Sequence, residues 1–208
     1  MRLQLKRAIG IAALVGLAGS GAVATAANAA EPNPSVVATQ AASVAPLKVT
    51  AFQRHLWGQL DYYSVSTDAP KGWRKTQLDV GMARFTSPNK LWNLRVDGDL
   101  EGRDPRTFNA AINAKIKALR GTKNFRVLSI VDGSTKSLQY GGYYPTKTMT
   151  YTYTDASGAK RLVIHRVFNP IGHHRVTEGE ISAGGRVTDH VGLHKVVDRA
   201  TGAYTIAG

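Results

Sequence analysis

Downstream of about residue 52, apolar and polar positions alternate in short runs that are broken by glycine, proline and aspartate. Gln59 to Thr67 carries the first strand, with Leu60, Tyr62 or Tyr63, and Val65 competing for its inner face. Pro70 does not suit a central strand and Gly72 permits a turn, so this strand ends there. Trp73 then opens a second short strand, and residues 81–86 form a third. After a turn at Ser87-Pro88-Asn89, Trp92, Leu94 and Val96 alternate with Leu91, Asn93 and Arg95, the period of a half-buried strand.

The pattern then changes to a helical one. Asp104-Pro105 places a capping side chain before a proline suited to the first helical position. Phe108, Ile112, Ile116 and Leu119 recur on one face, leaving Arg106, Asn109, Asn113 and Lys117 outward, and Gly121 follows the last turn. Strands return at Phe125 to Val131, closed by Asp132-Gly133, and at Tyr144 to Thr154, where threonine alternates with Met149, Tyr151 and Tyr153. Asp155 to Gly158 makes a hairpin turn, and Arg161 to Phe168 pairs back across it. A loop over Asn169 to His174, a last strand over Arg175 to Ile181 and a second helix over Arg186 to Val197 complete the pattern. In that helix Val187, Val191 and Val197 are expected to face inward. Strands, helix, strands, helix with hairpin-length connections predict an α+β domain on a largely antiparallel sheet with two main helices.

Several of these features occur together in one known group. Val65, Pro70-Lys71-Gly72-Trp73, Phe85, Pro88, the Asp104–Leu119 helix, Tyr151-Thr152-Tyr153 and Arg161-Leu162-Val163-Ile164 resemble the PsbP-like superfamily, including its LpqN-type secreted members. The same domain is found outside the membrane on some bacterial serine/threonine kinases. The resemblance runs from about Asp61 to Val197. It implies an α/β/α sandwich and non-catalytic binding or assembly roles, and it brings no catalytic residues with it. The chain departs from the lipoproteins in lacking an anchoring cysteine, and from the kinases in lacking a kinase domain.

The first 29 of the 208 residues read as a secretory signal peptide. Arg2, Lys6 and Arg7 precede the apolar run Ala8 to Ala18, and Ala27-Asn28-Ala29 offers a small-residue cleavage site. The apolar run is shorter than the roughly 20 residues of a membrane span; retention as an N-terminal anchor is the alternative. Residues 30–51, with Pro32, Pro34 and Pro46 among Ala, Ser and Val, read as a disordered linker, and residues 52–208 as the folded domain. There is no cysteine, which excludes thiol catalysis, Cys-based zinc sites and a lipobox. Removing residues 1–29 takes away three basic side chains and no acidic one, so the net charge falls from +13 to +10. A basic protein outside the cell is drawn to anionic polymers and surfaces, although such charge also serves solubility.

Candidate chemistry is sparse. Asp97-Gly98-Asp99-Leu100-Glu101-Gly102 begins like an EF-hand loop, but its twelfth position is Phe108 instead of glutamate, which favours a solvated turn. His190 and His194 are spaced like a metal pair, yet their expected inward face favours packing over ligation. His173-His174 lies in a loop, and His165 shares a strand face with Val163 and Val167. No nucleophile elbow, P-loop, dinucleotide fingerprint or H-E-x-x-H occurs. No catalytic, cofactor or metal residues are therefore expected, and no nucleic-acid partner or span in the mature chain. Tyr140, Tyr143 and Tyr144 around Gly141-Gly142 form an expected mobile binding loop. Lys115, Lys117, Arg120 and Lys123 supply an expected basic patch, with Arg126 nearby, while Pro70, Gly72 and Trp73 are structural. The expectation is a secreted, non-catalytic binding module of the cell envelope whose partner is an envelope protein or an anionic wall polymer. An envelope hydrolase or a metal-binding protein using the histidine face is the alternative.

Overall fold

Antiparallel pairing accounts for every strand contact in the computed structural model, which describes residues 44–59, 63–98, 106–170 and 177–207. The elements all fall in the unit that runs from Pro46 to Gly208. They are β1 (Phe52–Gln59), β2 (Tyr63–Pro70), β3 (Arg74–Asp79), β4 (Met82–Thr86), β5 (Asn93–Asp97) and α1 (Phe108–Leu119). Next come β6 (Arg126–Lys136), β7 (Tyr143–Thr154), β8 (Lys160–Phe168), β9 (Gly179–Arg186), a 3-10 turn over Val187–Asp189, α2 (His190–Gly202) and β10 (Thr205–Ala207). Seven strands form the main sheet in the order β3-β4-β5-β9-β8-β7-β6, and β1-β2-β10 form a second sheet. The molecule is thus α+β. Among the described residues no helix is long and apolar enough to cross a membrane.

Strand alternation divides the core in two. Leu162, Ile164 and Phe168 of β8 point to one side with Phe85, Leu94, Val96 and Ile181, where they meet α2 and the small sheet. Val163 and Val167 point the other way with Met149 and Tyr151, and Phe108, Ala111 and Ile112 of α1 cover them. Helix α1 therefore carries the apolar stripe that its spacing predicts. Thr107 caps it, accepting from Ala110 N at 3.2 Å. The expected Asp104-Pro105 start lies outside the described residues, as do the leader, residues 30–43 of the linker, Asp99 to Glu101 and His173-His174.

The Pro70–Trp73 turn is closed by Trp73 N donating to Pro70 O at 3.1 Å, with Gly72 at φ +84° in the position that favours glycine. Trp73 is 9% exposed and belongs to the core beneath the small sheet.

Other expectations are corrected. Packing begins before Phe52: Leu47 and Val49 are buried, and Leu47 lies so close over Gly192 that a Cβ there would strike its backbone oxygen. Two strands stand in place of the expected first one, β1 ending at Gln59 and β2 beginning at Tyr63; from Phe52 to Gly58 only Trp57 is buried, so β1 shows no apolar alternation in the sequence. Asp132-Gly133 closes nothing; β6 passes straight through it as an edge strand, with Asp132 paired to Lys147 at 3.0 Å. The last strand of the main sheet is the glycine-rich β9, not residues 175–181. Its glycines sit where side chains crowd in, Trp92 and Asp189 against Gly185 and Asn93 against Gly184. Helix α2 starts later and turns a different face inward. Leu193, Val196, Val197 and Ala200 are buried, whereas Val187 is 43% and Val191 82% exposed.

Candidate functional site

Because α2 buries the Leu193–Val196–Ala200 side, its opposite stripe is free to line a groove. His190, His194 and Asp198, each four residues apart, stand one above the other on that stripe, with Val191 and Lys195 beside them. The facing wall comes from Thr135, Lys136 and Leu138 at the end of β6, and the head of the groove from Thr50 and Phe52. The volume is about 930 Å³.

Arg166 fixes one wall to the other. It is buried on β8 and donates from Nε to Thr148 Oγ1 at 2.8 Å and from Nη1 to Thr135 Oγ1 at 3.0 Å. It also pairs with Asp198 Oδ1 at 2.8 Å, so the carboxylate on the α2 stripe is engaged from below. Arg199 is tied to Asp68 Oδ2 at 2.6–2.7 Å, and its guanidinium lies 5.7 Å from the centre of the Phe52 ring. Lys195 Nζ donates to Val49 O at 2.8 Å. With Asp198 held by Arg166, the groove presents mainly cationic and imidazole groups, with Phe52, Leu138 and Val191 as its apolar contacts.

The two imidazoles meet edge to face with centroids 4.5 Å apart. Burial, reinforced by His190 and Arg166 against the attraction of Asp198, pushes the His194 pKa below that of a free imidazole. His194 therefore gains its charge in more acidic solution than a free imidazole does. Both rings border the groove instead of packing inward as the sequence suggested, because the inward phase of α2 belongs to Leu193. Among the described residues no set of three His, Asp or Glu side chains is placed to hold a metal ion.

The expected partner residues separate into two places. Tyr140, in the β6–β7 loop that adjoins the groove through Leu138, and Tyr143, at the start of β7, are 74% and 61% exposed. Tyr144 is not on that surface: it is buried, with its hydroxyl 2.8 Å from Ser137 Oγ. Nor is the loop untethered. Ser137 N donates to Gly142 O and Leu138 N to Gly202 O, both at 2.7 Å, while Ser137 Oγ accepts from the amides of Gln139 and Tyr140. Lys117, Arg120 and Lys123 are exposed near the end of α1, where Thr154 N donates to Lys123 O. That is the far end of β7 from Tyr143, about 35 Å away at the rise of a strand. Lys115 is half-buried and faces the sheet's charged residues. Lys136, Lys195, Arg199 and Phe52 went unnoticed in the sequence, where only the spacing of His190 and His194 hinted at the groove.

No protein-family model matches the chain, and no curated protein matches it in sequence. Three solved structures align with parts of the chain at low similarity. Mog1p, the Ran-binding protein of Saccharomyces cerevisiae, aligns over 74% of this chain and 96% of its own at 8% identity, with a TM-score of 0.45. LpqN of Mycobacterium tuberculosis, a protein involved in cell envelope biogenesis, aligns over 79% of this chain and 100% of its own at 12% identity and a TM-score of 0.38. PA94 of Pseudomonas aeruginosa, a protein of unknown function, aligns over 72% and 94% at 8% identity, again with a TM-score of 0.38. The likeness to LpqN is weak, and none of these alignments tells what this chain does.

Proposed function

We propose that the chain is an exported, non-catalytic binding module of the cell envelope, and that it takes an anionic partner in the groove beside α2. The observation that carries this reading is the composition of the groove walls. Lys136, Lys195 and two imidazoles line them, while the carboxylate of Asp198 is taken up by Arg166. Phe52, Leu138 and Val191 add apolar contact, and Tyr140 and Tyr143 extend the surface at one end. Export is supported by the leader-like residues 1–29 and by the basic charge of residues 30–208.

An open, cationic groove suits a polymer or an acidic protein segment better than a reacting small molecule. A metal-binding alternative would use His190 and His194 with a third ligand from the next turn, and there Asp198 is held by Arg166. Sedimentation of the protein with isolated envelope material at two ionic strengths tests the proposal: co-sedimentation should be strong at low salt and weak at high salt. Turnover of an envelope component by the purified protein would overturn it.

A further inference from the structure

The face of the main sheet that carries α1 has a second cationic centre, on the opposite side of the sheet from the α2 groove. Register places its members in one row: Arg84 faces Arg95, Arg95 faces Ser182, and Ser182 faces His165. Helix α1 packs beyond the end of this row, on Met149, Tyr151, Val163 and Val167. Arg84, Arg95 and Ser182 are half-buried.

Two arginines directly opposite each other on neighbouring strands repel, an arrangement that weakens a sheet. Neither makes an ion pair with a carboxylate among the described residues; Arg95 Nη2 reaches Met82 Sδ at 2.9 Å, a weak acceptor. A third cation approaches from α1. Burial pushes the Lys115 ammonium below its usual pKa; Glu180 opposes that shift, Arg95 reinforces it and Asp97 opposes it. Asp97 and Glu180 form the next row on the same face, so that the three cations Arg84, Arg95 and Lys115 stand beside two carboxylates. At the inner end, His165 Nδ1 lies 2.8 Å from Ser182 Oγ, and the buried Nε2 has no hydrogen-bond partner.

We infer that this face is a binding site for a carboxylate or phosphate group, received by the guanidinium groups of Arg84 and Arg95 and the ammonium of Lys115, with the Ser182 hydroxyl on its His165 side. The chemistry fits: guanidinium forks match the oxygens of either group, and an anion would remove the repulsion built into the Arg84–Arg95 pair. The site is independent of the α2 groove and of any partner bound there.

The test is calorimetric titration of the full chain at fixed ionic strength, with inorganic phosphate and citrate as separate probes. At least one probe should bind at a single site; phosphate alone would mark a phosphate site and citrate alone a carboxylate site. Arg84→Gln with Arg95→Gln should weaken that binding by about tenfold or more. The same change should raise the thermal midpoint of the ligand-free protein, because it removes the like-charge pair. Lys115→Gln touches neither strand and should weaken binding without the rise in midpoint. Failure of both probes to bind, or binding undiminished in both variants, would overturn the inference.

Discussion

Trp92 Nε1 donates to Asp189 Oδ2 at 2.6 Å, joining the chain just ahead of β5 to the 3-10 turn that leads into α2. The same carboxylate accepts from Leu47 N at 2.9 Å, from Arg186 N at 2.8 Å and from the Arg186 side chain at 3.0–3.1 Å. The Arg186 guanidinium also lies 5.7 Å from the centre of the Trp92 ring. One buried carboxylate thus fixes the pre-strand segment, the end of β9 and the start of α2 to one another.

Asp189→Asn should lower stability by about 3 kcal/mol, because it leaves the Arg186 charge without its buried partner. Trp92→Phe, which removes one hydrogen bond to a charged group, should cost about 2 kcal/mol. Burial alone would raise the Asp189 pKa, but the bonds from Arg186, Trp92 and Leu47 outweigh it and hold the carboxyl below its ordinary value. A lowered carboxyl pKa stabilises the fold above the unfolded value near about 4 and loses that contribution as pH falls further. Urea titrations at pH 7 and pH 3 should therefore show the wild type approaching Asp189→Asn in acid. A constant gap between the two would refute the assignment.

Trp73 tests the turn that the chain makes after β2. Its burial with Trp57, Phe85 and Leu94 gives Trp73→Ala an expected cost of about 3–5 kcal/mol. Gly72→Ala should cost about 1 kcal/mol, since it forces a side chain into positive φ although nothing crowds the position. Thermal melts of both variants measure this. An unchanged midpoint in Trp73→Ala would make the indole a surface residue.

These two regions differ in how far the sequence discloses them. The Pro70–Trp73 turn, the stripe from Phe108 to Leu119 and the Asp155–Gly158 hairpin are legible in local spacing, and Asp155 Oδ1 accepts from the amides of Ser157 and Ala159 as a turn aspartate does. The Trp92–Asp189 bond and the Arg84–Arg95–Ser182–His165 row depend on β5 pairing with β9, strands distant in sequence that no local pattern connects. β9 itself is hidden by the glycines that let Trp92 and Asn93 approach it. At α2 and the turn before it, Val187 and Val191 compete with Leu193, Val196, Val197 and Ala200 for the inner face. Only the packing of Leu47 over Gly192 and of the sheet beneath decides between them, and this is why the spacing of the histidine pair suggests an inward face.

His165 predicts a second pH effect in a different range. Burial, with Lys115 and Arg95 nearby, holds its pKa well below 6.5. The unfolded chain then binds a proton that the folded one does not, so stability falls as pH drops below about 6.5, by about 1.4 kcal/mol per pH unit until the folded pKa is reached. Comparing midpoints at pH 7.5 and 5.5 checks this. His165→Gln should show a shallower loss than the wild type. Equal slopes would place the titration in other groups, such as His194 and His55, whose pKa values burial also lowers.

The groove beside α2 makes a prediction that the exposed lysines of α1 do not share. Lys136 and Lys195 border it, whereas Lys117, Arg120 and Lys123 lie near the other end of β7. If an anionic envelope partner sits in the groove, Lys136→Gln with Lys195→Gln should weaken binding and flatten its salt dependence. Glutamine at 117, 120 and 123 should change both less. Raising ionic strength from about 0.01 M to about 0.15 M shortens the screening length from about 30 Å to about 8 Å, a range over which a charge-steered partner should visibly detach. Acid should strengthen binding as His194 gains charge, at a pH displaced below 6.5 by its burial. His194→Gln should remove that gain. Binding that ignores salt and is lost in Tyr140→Ala with Tyr143→Ala would instead make the neighbouring loop an apolar protein interface, and the cationic groove would not be the docking site.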